Sequence, residues 1–390
     1  MNSPPRIGID LHVADGIYQG SRTHVLELFS RVVAQSPEFE FYLFAEGIEV
    51  IRQFSSRFSL PNVRLVRMPH SSPIKRLCWQ LSRLQQEHRL NLLHCQYIVP
   101  PVLSCPAVVT IHDVLFESHP QYFSRAFTLR SRMLVRFSAS RSAHVFTVSD
   151  FSRSQIEHLY KVPSSALTVI PNGVDMNRFR PGADGRELIE AFGIQSGSYI
   201  LTVGRLEPRK NHLGLLKSYA LLRDPKPPLV IAGQKHFGFD EALNYARQSG
   251  MEKYLHFLEH VDDEALPALY RHARLFVYPT WAEGFGIPVL EAMASGVPVI
   301  SSDNTSLPEV VGETGVLVKA GVIQALASQM QHLLGDPAFA ERLSRNAHER
   351  AKLFTWERAA DRIRDVYRRL LTEPTPQGKA MRQDVEIQCR

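Results

Sequence analysis

The sequence predicts an α/β protein made of two doubly wound, parallel-sheet domains, and three observations predict it. Short β-branched runs alternate with stretches of helical period. The alternation halts at Ile170-Pro171-Asn172-Gly173-Val174-Asp175 and then starts again, and 390 residues exceed one ordinary core while sufficing for two. In the first half the order is strand 6–11, helix 21–34, strands 40–45 and 63–68, helix 74–89, strands 92–95 and 107–112, helix 122–141 and strand 145–148. Strands separated by helical stretches need crossovers, and crossovers make a sheet parallel. The second half repeats the theme with strands at 199–203, 229–232, 255–258, 275–278 and 299–301, helices filling the gaps.

The turn at Pro171-Asn172-Gly173, followed by the polar, proline-containing stretch 178–185, marks a linker. The expected domains are therefore 1–172 and 173–354. Residues 355–371 form a last amphipathic helix after the second sheet is complete, and the polar stretch 372–390 is expected to be a disordered tail.

Composition narrows the function. No apolar run is long enough to span a bilayer, and no apolar leader precedes Arg6, so a cytoplasmic protein is expected. Cys78, Cys95, Cys105 and Cys389 show neither a CxxC pair nor zinc-ligand spacing with histidine, so no metal site is expected. No motif supports a pyridoxal, flavin or nucleic-acid role. Charge is uneven: through Asn172 there are 18 Lys and Arg against 12 Asp and Glu, and beyond it 27 against 27. The whole +6 excess sits in the first half, as an attractor of phosphates or anionic lipid or as a solubilising accident.

In open α/β sheets, ligands bind beyond the carboxyl ends of the strands, which singles out two loops. Strand 199–203 runs into Gly204-Arg205-Leu206-Glu207-Pro208-Arg209-Lys210-Asn211, where Arg205 and Lys210 arrive as a helix begins. Two cations beside a helix N-terminus suit a diphosphate. Taken alone, the loop reads equally as solvated charge. Strand 275–278 runs into Thr280-Trp281-Ala282-Glu283-Gly284-Phe285-Gly286-Ile287-Pro288-Val289-Leu290-Glu291, a glycine turn and a helix opened by proline. Gly284 and Gly286 let backbone approach a ligand, and the carboxylates of Glu283 and Glu291 suit vicinal sugar hydroxyls. The bland alternative makes Glu283 a structural cap and Glu291 a surface residue.

Together, G-R-x4-K and E-x7-E at two strand ends resemble a family-4 retaining glycosyltransferase of the GT-B fold. Supporting stretches are Thr147-Val148-Ser149-Asp150-Phe151-Ser152, Val169 through Asp175, Gly296 through Ser301, and Ser306-Leu307-Pro308-Glu309. The resemblance implies two Rossmann-like domains facing a cleft, the first for the acceptor and the second for a nucleotide-sugar donor, with the last helix crossing back to the first. It implies that Arg205 and Lys210 hold the donor diphosphate and that Glu291 holds the nucleotide ribose. Glu283 and the backbone of Gly284, Phe285, Gly286 and Ile287 would hold the donor sugar, and His112, ending strand 107–112, matches the family's cleft histidine. A structural role for His112 stays open, and Asp113 is the weaker neighbour. The family often has adjacent glycines in its first loop, whereas here Gly16 and Gly20 are separated, so only Gly20 is carried over, as a place where backbone approaches the donor or the acceptor, with Arg22 as a further phosphate candidate.

No DxD stands where a metal-dependent transferase would carry one, and the expected enzyme is metal-independent, with no cofactor beyond the nucleotide-sugar substrate. The stretches around Phe285 and Ser306 look most like mannosyl- and rhamnosyltransferases, which makes GDP-mannose the first choice of donor. Helix 122–141 interleaves Phe123, Phe127, Leu129, Met133, Leu134 and Phe137 with five arginines. It either packs its apolar side on the sheet or lies on the inner-membrane surface, where a saccharide on undecaprenyl diphosphate would be the acceptor. Two rivals remain: a sugar-nucleotide epimerase, and a non-catalytic nucleotide-sugar-binding protein.

Overall fold

The computed structural model describes residues 3–15, 20–235 and 238–372. Gly16 of the first loop, Cys389 and the tail beyond Thr372 lie outside the described residues. The chain forms two compact units, one running to Gly173 and resuming at Trp356, the other spanning Val174–Thr355.

The first unit is built on seven parallel strands: β1 (Arg6–Asp10), β2 (Glu40–Ala45), β3 (Val63–Arg67), β4 (Leu92–Gln96), β5 (Ala107–Thr110), β6 (His144–Thr147) and β7 (Leu167–Val169). Their spatial order, β3-β2-β1-β4-β5-β6-β7, puts the switch point between β1 and β4. Strand residues alternate between two apolar layers. Phe41, Leu43 and Ala45 face the helices Gly20–Gln35 and Trp356–Thr372, while Tyr42 and Phe44 join Leu77, Leu81, Val135 and Ile156 on the other side. The last helix thus packs within the first unit, burying Trp356, Ala359, Ala360, Ile363, Val366 and Tyr367 at helical spacing. Tyr367 hydroxyl also meets His94 Nδ1 at 2.5 Å.

The second unit has six parallel strands: β8 (Ile200–Val203), β9 (Leu229–Ala232), β10 (Leu255–Leu258), β11 (Leu275–Tyr278), β12 (Val299–Ser302) and β13 (Val316–Val318), in the order β10-β9-β8-β11-β12-β13. Here the switch point lies between β8 and β11, the two strands that carry the motifs.

Two strands went unrecognised in the sequence, β7 and β13. Each is three residues long and pairs on one side only, at a sheet edge, so too few side chains alternate to make a pattern. The helix expected over 122–141 begins later, at Arg125, because Ser124 caps it by accepting from the Phe127 N–H at 3.3 Å.

That helix does not pack the apolar residues named from its sequence on the sheet. Its buried residues form a narrow seam of small side chains, Ser131, Val135, Ser138 and Ala139, beside which Phe127 meets the rings of Phe116 and Phe123. Ser138 Oγ is tied down by the Val99 N–H at 3.1 Å and donates to the Leu134 carbonyl at 2.7 Å. Phe127, Leu129, Met133, Leu134 and Phe137 are left facing outward. Among the described residues no helix is long and apolar enough to cross a membrane.

Candidate active site

The two motif loops of the second unit are stitched to each other. After β8, a single turn at Pro208–Lys210 leads into Asn211, whose left-handed backbone starts the helix His212–Ala220. Asn211 Oδ1 accepts from the Gly214 N–H at 3.2 Å, while its Nδ2 donates to the Pro279 carbonyl at 2.9 Å. The Trp281 N–H donates to the Arg209 carbonyl at 2.8 Å, and the Arg209 guanidinium donates to the Ala282 carbonyl at 2.6 Å. Gly233, after β9, closes in from the other side; a Cβ there would collide with the Gly204 carbonyl.

This stitching brings four charged side chains into one cluster. Lys210 Nζ lies 2.7 Å from Glu283 Oε1, and Arg209 reaches Glu283 Oε2 at 3.0 Å and Glu207 Oε1 at 2.7 Å. Lys210 also donates to the Tyr278 hydroxyl at 2.7 Å, and that hydroxyl donates on to Glu283 at 3.1 Å. Burial alone would raise the Glu283 carboxyl, but Arg209 and Lys210 outweigh it and hold it below its ordinary range, as an anion. Burial draws Lys210 below the usual lysine range, with Glu283 pulling the other way. The backbone of Glu283 is pinned as well, its N–H donating to Thr305 Oγ1 at 3.0 Å and its carbonyl accepting from Ser306 Oγ at 2.9 Å.

Arg205 stands apart from this cluster. It is half-buried and makes no side-chain hydrogen bond or ion pair among the described residues.

The glycine turn has its own geometric requirement. Gly286 caps the helix Ile287–Ala294 at φ 106°, a conformation closed to residues with a Cβ, and a Cβ there would also come 2.6 Å from Leu307. Gly284 and Phe285 lead into it, and Pro288 sits in the first helical turn, where its missing N–H costs nothing. Glu291 follows one turn inside. The Tyr270 hydroxyl donates to its Oε2 at 2.8 Å, and burial pushes its carboxyl up to about 7. Beside it lies a groove of about 390 Å³ lined by Arg178, Asp184, Asp263 and Arg271, whose charges already pair: Arg178 with Asp263 at 3.1 Å and Arg271 with Asp184 at 2.9 Å.

In the first unit, His112 follows β5 and is almost fully buried, 9% exposed. Its ring packs edge-on to His24 with centroids 4.4 Å apart and tilted against Tyr97 at 5.4 Å. Its Nε2 has no hydrogen-bond partner among the described residues. His24 binds Asn172 Oδ1 through Nδ1 at 2.6 Å, which links this pair to the Pro-Asn-Gly turn. Burial takes His112 well below the ordinary histidine range and His24 down to about 4, so both rings are neutral. Asp113 caps the next short helix by accepting from the Leu115 N–H at 3.1 Å. Gly20 begins the helix Gly20–Gln35, and Arg22 donates to the Ala14 carbonyl at 3.1 Å.

The sequence reading thus placed Arg205, Lys210, Glu283, Gly284, Phe285, Gly286, Ile287 and Glu291 on two loops, and the fold joins those loops. It overlooked Arg209, Tyr278, Tyr270 and His24. Arg209 lay inside the quoted run, but nothing local says which of two arginines turns inward. The tyrosines read as core apolar residues, since their hydroxyl partners come from distant segments.

Residues 185–350 match the family described as glycosyl transferases group 1, and residues 18–178 match glycosyltransferase family 4. The O-antigen chain mannosyltransferase B of Escherichia coli is 33% identical over 268 residues, which cover 68% of this chain and 70% of that protein. The chain belongs to the family-4, group 1 glycosyltransferases. Among solved structures, sucrose-phosphate synthase from Thermosynechococcus elongatus superposes with a TM-score of 0.76 at 22% identity, over 94% of this chain and 99% of that one. Anabaena HepE in complex with UDP and glucose gives 0.74 at 19% identity, over 93% and 99%. At such identities the likeness is one of fold, which is GT-B. The family's donors are nucleotide sugars, used as substrates. Among the described residues there is no group of three or more His, Cys, Asp or Glu side chains that could hold a metal ion.

Proposed function

We propose that the chain is a retaining, metal-independent mannosyltransferase. It moves mannose from GDP-mannose onto a saccharide carried by undecaprenyl diphosphate, in O-antigen or related polysaccharide assembly, working from the cytoplasmic face of the inner membrane. The observation that carries this reading is the stitched loop pair at the β8/β11 switch point, with cations gathered where a leaving diphosphate needs them. The mannose assignment leans on the similarity to the Escherichia coli O-antigen chain mannosyltransferase B.

In this reading Arg205, which has no side-chain partner among the described residues, and Lys210 receive the diphosphate. Arg209 and Glu283 keep Lys210 aimed, so little reorganises as charge develops. Glu291 accepts from the ribose hydroxyls. The backbone at Gly284, Phe285, Gly286 and Ile287, with Glu283, lines the donor sugar, and His112 contributes as a neutral ring. The anomeric C–O bond to the diphosphate breaks while the acceptor oxygen bonds the same face of the sugar. The acceptor's proton passes to the departing phosphate oxygen. The fixed cations do the work that a divalent ion does elsewhere.

The test is mass-spectrometric turnover of a panel of GDP-, UDP- and dTDP-sugars, with and without bacterial lipid extract and with chelator present. Acceptor-dependent release of GDP that survives chelation is expected. Conversion of donor without acceptor would replace this reading by the epimerase, and release of another nucleotide would replace the donor.

A further inference from the structure

We infer that the first unit carries a composite membrane-docking face, formed by the helix Arg125–Arg141, the helical segment 73–87 and the loop between β4 and β5, and that its partner is an anionic lipid surface. This rests on the proposed lipid-linked acceptor and names the surface through which the enzyme reaches it.

The first observation is where apolar side chains remain in water. Of the thirteen large hydrophobics exposed among the described residues, eight belong to these three segments: Ile74, Trp79, Val102, Phe127, Leu129, Met133, Leu134 and Phe137. Trp79 is 69% exposed, Ile74 72% and Met133 61%. Exposed apolar side chains gathered this way mark an interaction surface.

The second observation is that the segments are neighbours. Val102 stands at the tip of the β4–β5 loop, and its carbonyl accepts from Ser82 Oγ at 3.2 Å and Gln85 Nε2 at 3.5 Å, both on the helix that follows Trp79. The same loop donates through Val99 N–H to Ser138 Oγ on the helix Arg125–Arg141 at 3.1 Å. Leu77, Leu81, Val135 and Ala139 share one apolar layer, so both helices cover the same side of the sheet.

The third observation is charge. The helix Arg125–Arg141 contains five arginines and no acid. Arg132 is held by Glu117 at 2.9 Å, whereas Arg125, Arg136 and Arg141 make no hydrogen bond or ion pair among the described residues. Arg130 lies over the Phe127 ring at 5.9 Å, an apolar and a cationic group presented together. A helix with arginines flanking exposed Phe, Leu and Met suits the interface of a bilayer rich in anionic headgroups, where the apolar groups enter and the arginines stay at phosphate depth. A second copy fits poorly, because a two-fold contact would set five arginines against the same five. The helix is held by the seam of Ser131, Val135, Ser138 and Ala139, with Phe127 against Phe116 and Arg132 against Glu117, which leaves Leu129 and Met133 in water for another phase.

The experiment uses the full chain without donor or acceptor. Flotation with vesicles of phosphatidylglycerol and phosphatidylethanolamine is compared with vesicles of phosphatidylcholine alone, for wild type, Leu129→Glu with Met133→Glu, Arg125→Ala with Arg136→Ala, and Leu221→Glu, an exposed hydrophobic of the second unit. Wild type and Leu221→Glu should bind the anionic vesicles, and each paired variant should bind about tenfold more weakly while melting normally. High salt should weaken the wild type as the arginine pair does. No binding, or binding indifferent to both pairs, overturns the docking face. So does sedimentation showing a wild-type dimer that the Glu pair disrupts while vesicle binding persists. Turnover on a water-soluble acceptor is measured in parallel: its absence with vesicle binding intact counts against the transferase reading alone.

Discussion

Each unit buries a polar cluster at the carboxyl end of its sheet, and the two clusters handle burial in opposite ways. In the first unit His24, His94 and His112 lose their charge: burial takes His24 to about 4 and His94 to about 3, and their nitrogens find Asn172, Tyr367 and Thr110. In the second unit Arg209 and Lys210 sit against the carboxylates of Glu207 and Glu283 at 2.7 to 3.0 Å, and the two cations hold Glu283 below its ordinary range. A histidine can shed its proton near neutral pH, whereas an arginine cannot, so its burial demands an opposite charge. Under the proposed function the lesson is that loops which hold positive charge ready for a donor diphosphate need a compensating anion in place beforehand, and Glu283 is that anion.

The sharpest way to break this contrast is to remove the compensating anion. Glu283→Ala leaves the buried Lys210 without a carboxylate and Arg209 with Glu207 alone, and should cost about 3–5 kcal/mol in chemical denaturation. Lys210→Ala should lower turnover about 10²–10³-fold, the scale of losing one preorganised electrostatic contact. The double variant Glu283→Gln with Lys210→Met should regain stability without activity. If it regains activity too, the cluster is structural only.

Arg205 sharpens the same contrast, since it lacks a protein partner among the described residues. Arg205→Ala should lower turnover about 10²-fold yet leave unfolding within roughly 0.5 kcal/mol of wild type. A large loss of stability would show that its role lies in the fold.

Glu291 sits between the two modes, a carboxyl pushed up to about 7 by burial, with the Tyr270 hydroxyl donating to it and Arg178 pulling the other way. If its anion holds the ribose, the donor KM should fall as pH rises through about 7. Glu291→Gln should flatten that dependence and raise KM roughly tenfold at pH 8, the cost of about one hydrogen bond to a charged group. A KM independent of pH in the wild type would remove Glu291 from the donor site.

The first unit's half of the contrast is tested by stability against pH. A histidine whose folded pKa is depressed contributes stability that is fully present above its unfolded value of 6.5 and is lost as pH falls toward the folded value. Between pH 6.5 and 5, His24 and His94 should each weaken folding by about 1.4 kcal/mol per pH unit. Denaturation across that range, with His24→Phe as the comparison, checks the sign; stability that rises on acidification would contradict neutral burial.

Much of the fold was legible because its signals are local. The strand runs that became β1 to β6 and β8 to β12 are short and rich in Val, Ile, Leu and Phe, and the glycines and proline of the second motif state their own backbone requirements. The motif loops were legible because each follows a strand end within one short segment. What could not be read was the pairing across segments: Lys210 with Glu283, Tyr270 with Glu291, His24 with His112. Periodicity reports which face of an element is apolar or polar, and carries no information on what will meet it.

Two helices make the division plain. Arg125–Arg141 and Trp356–Thr372 are each 17 residues long, and each carries five arginines and an apolar stripe. The sequence by itself determined that both would be amphipathic helices, as it determined two parallel-sheet cores and, at two strand ends of the second, one loop suited to a diphosphate and one suited to sugar hydroxyls. Only the tertiary structure decided that Trp356, Ile363 and Tyr367 would be buried against the helix Gly20–Gln35, while Leu129 and Met133 would stay in water. The reason is that a helix docks by the face that fits its neighbour most closely. For Arg125–Arg141 that face was the line of serine, alanine and valine.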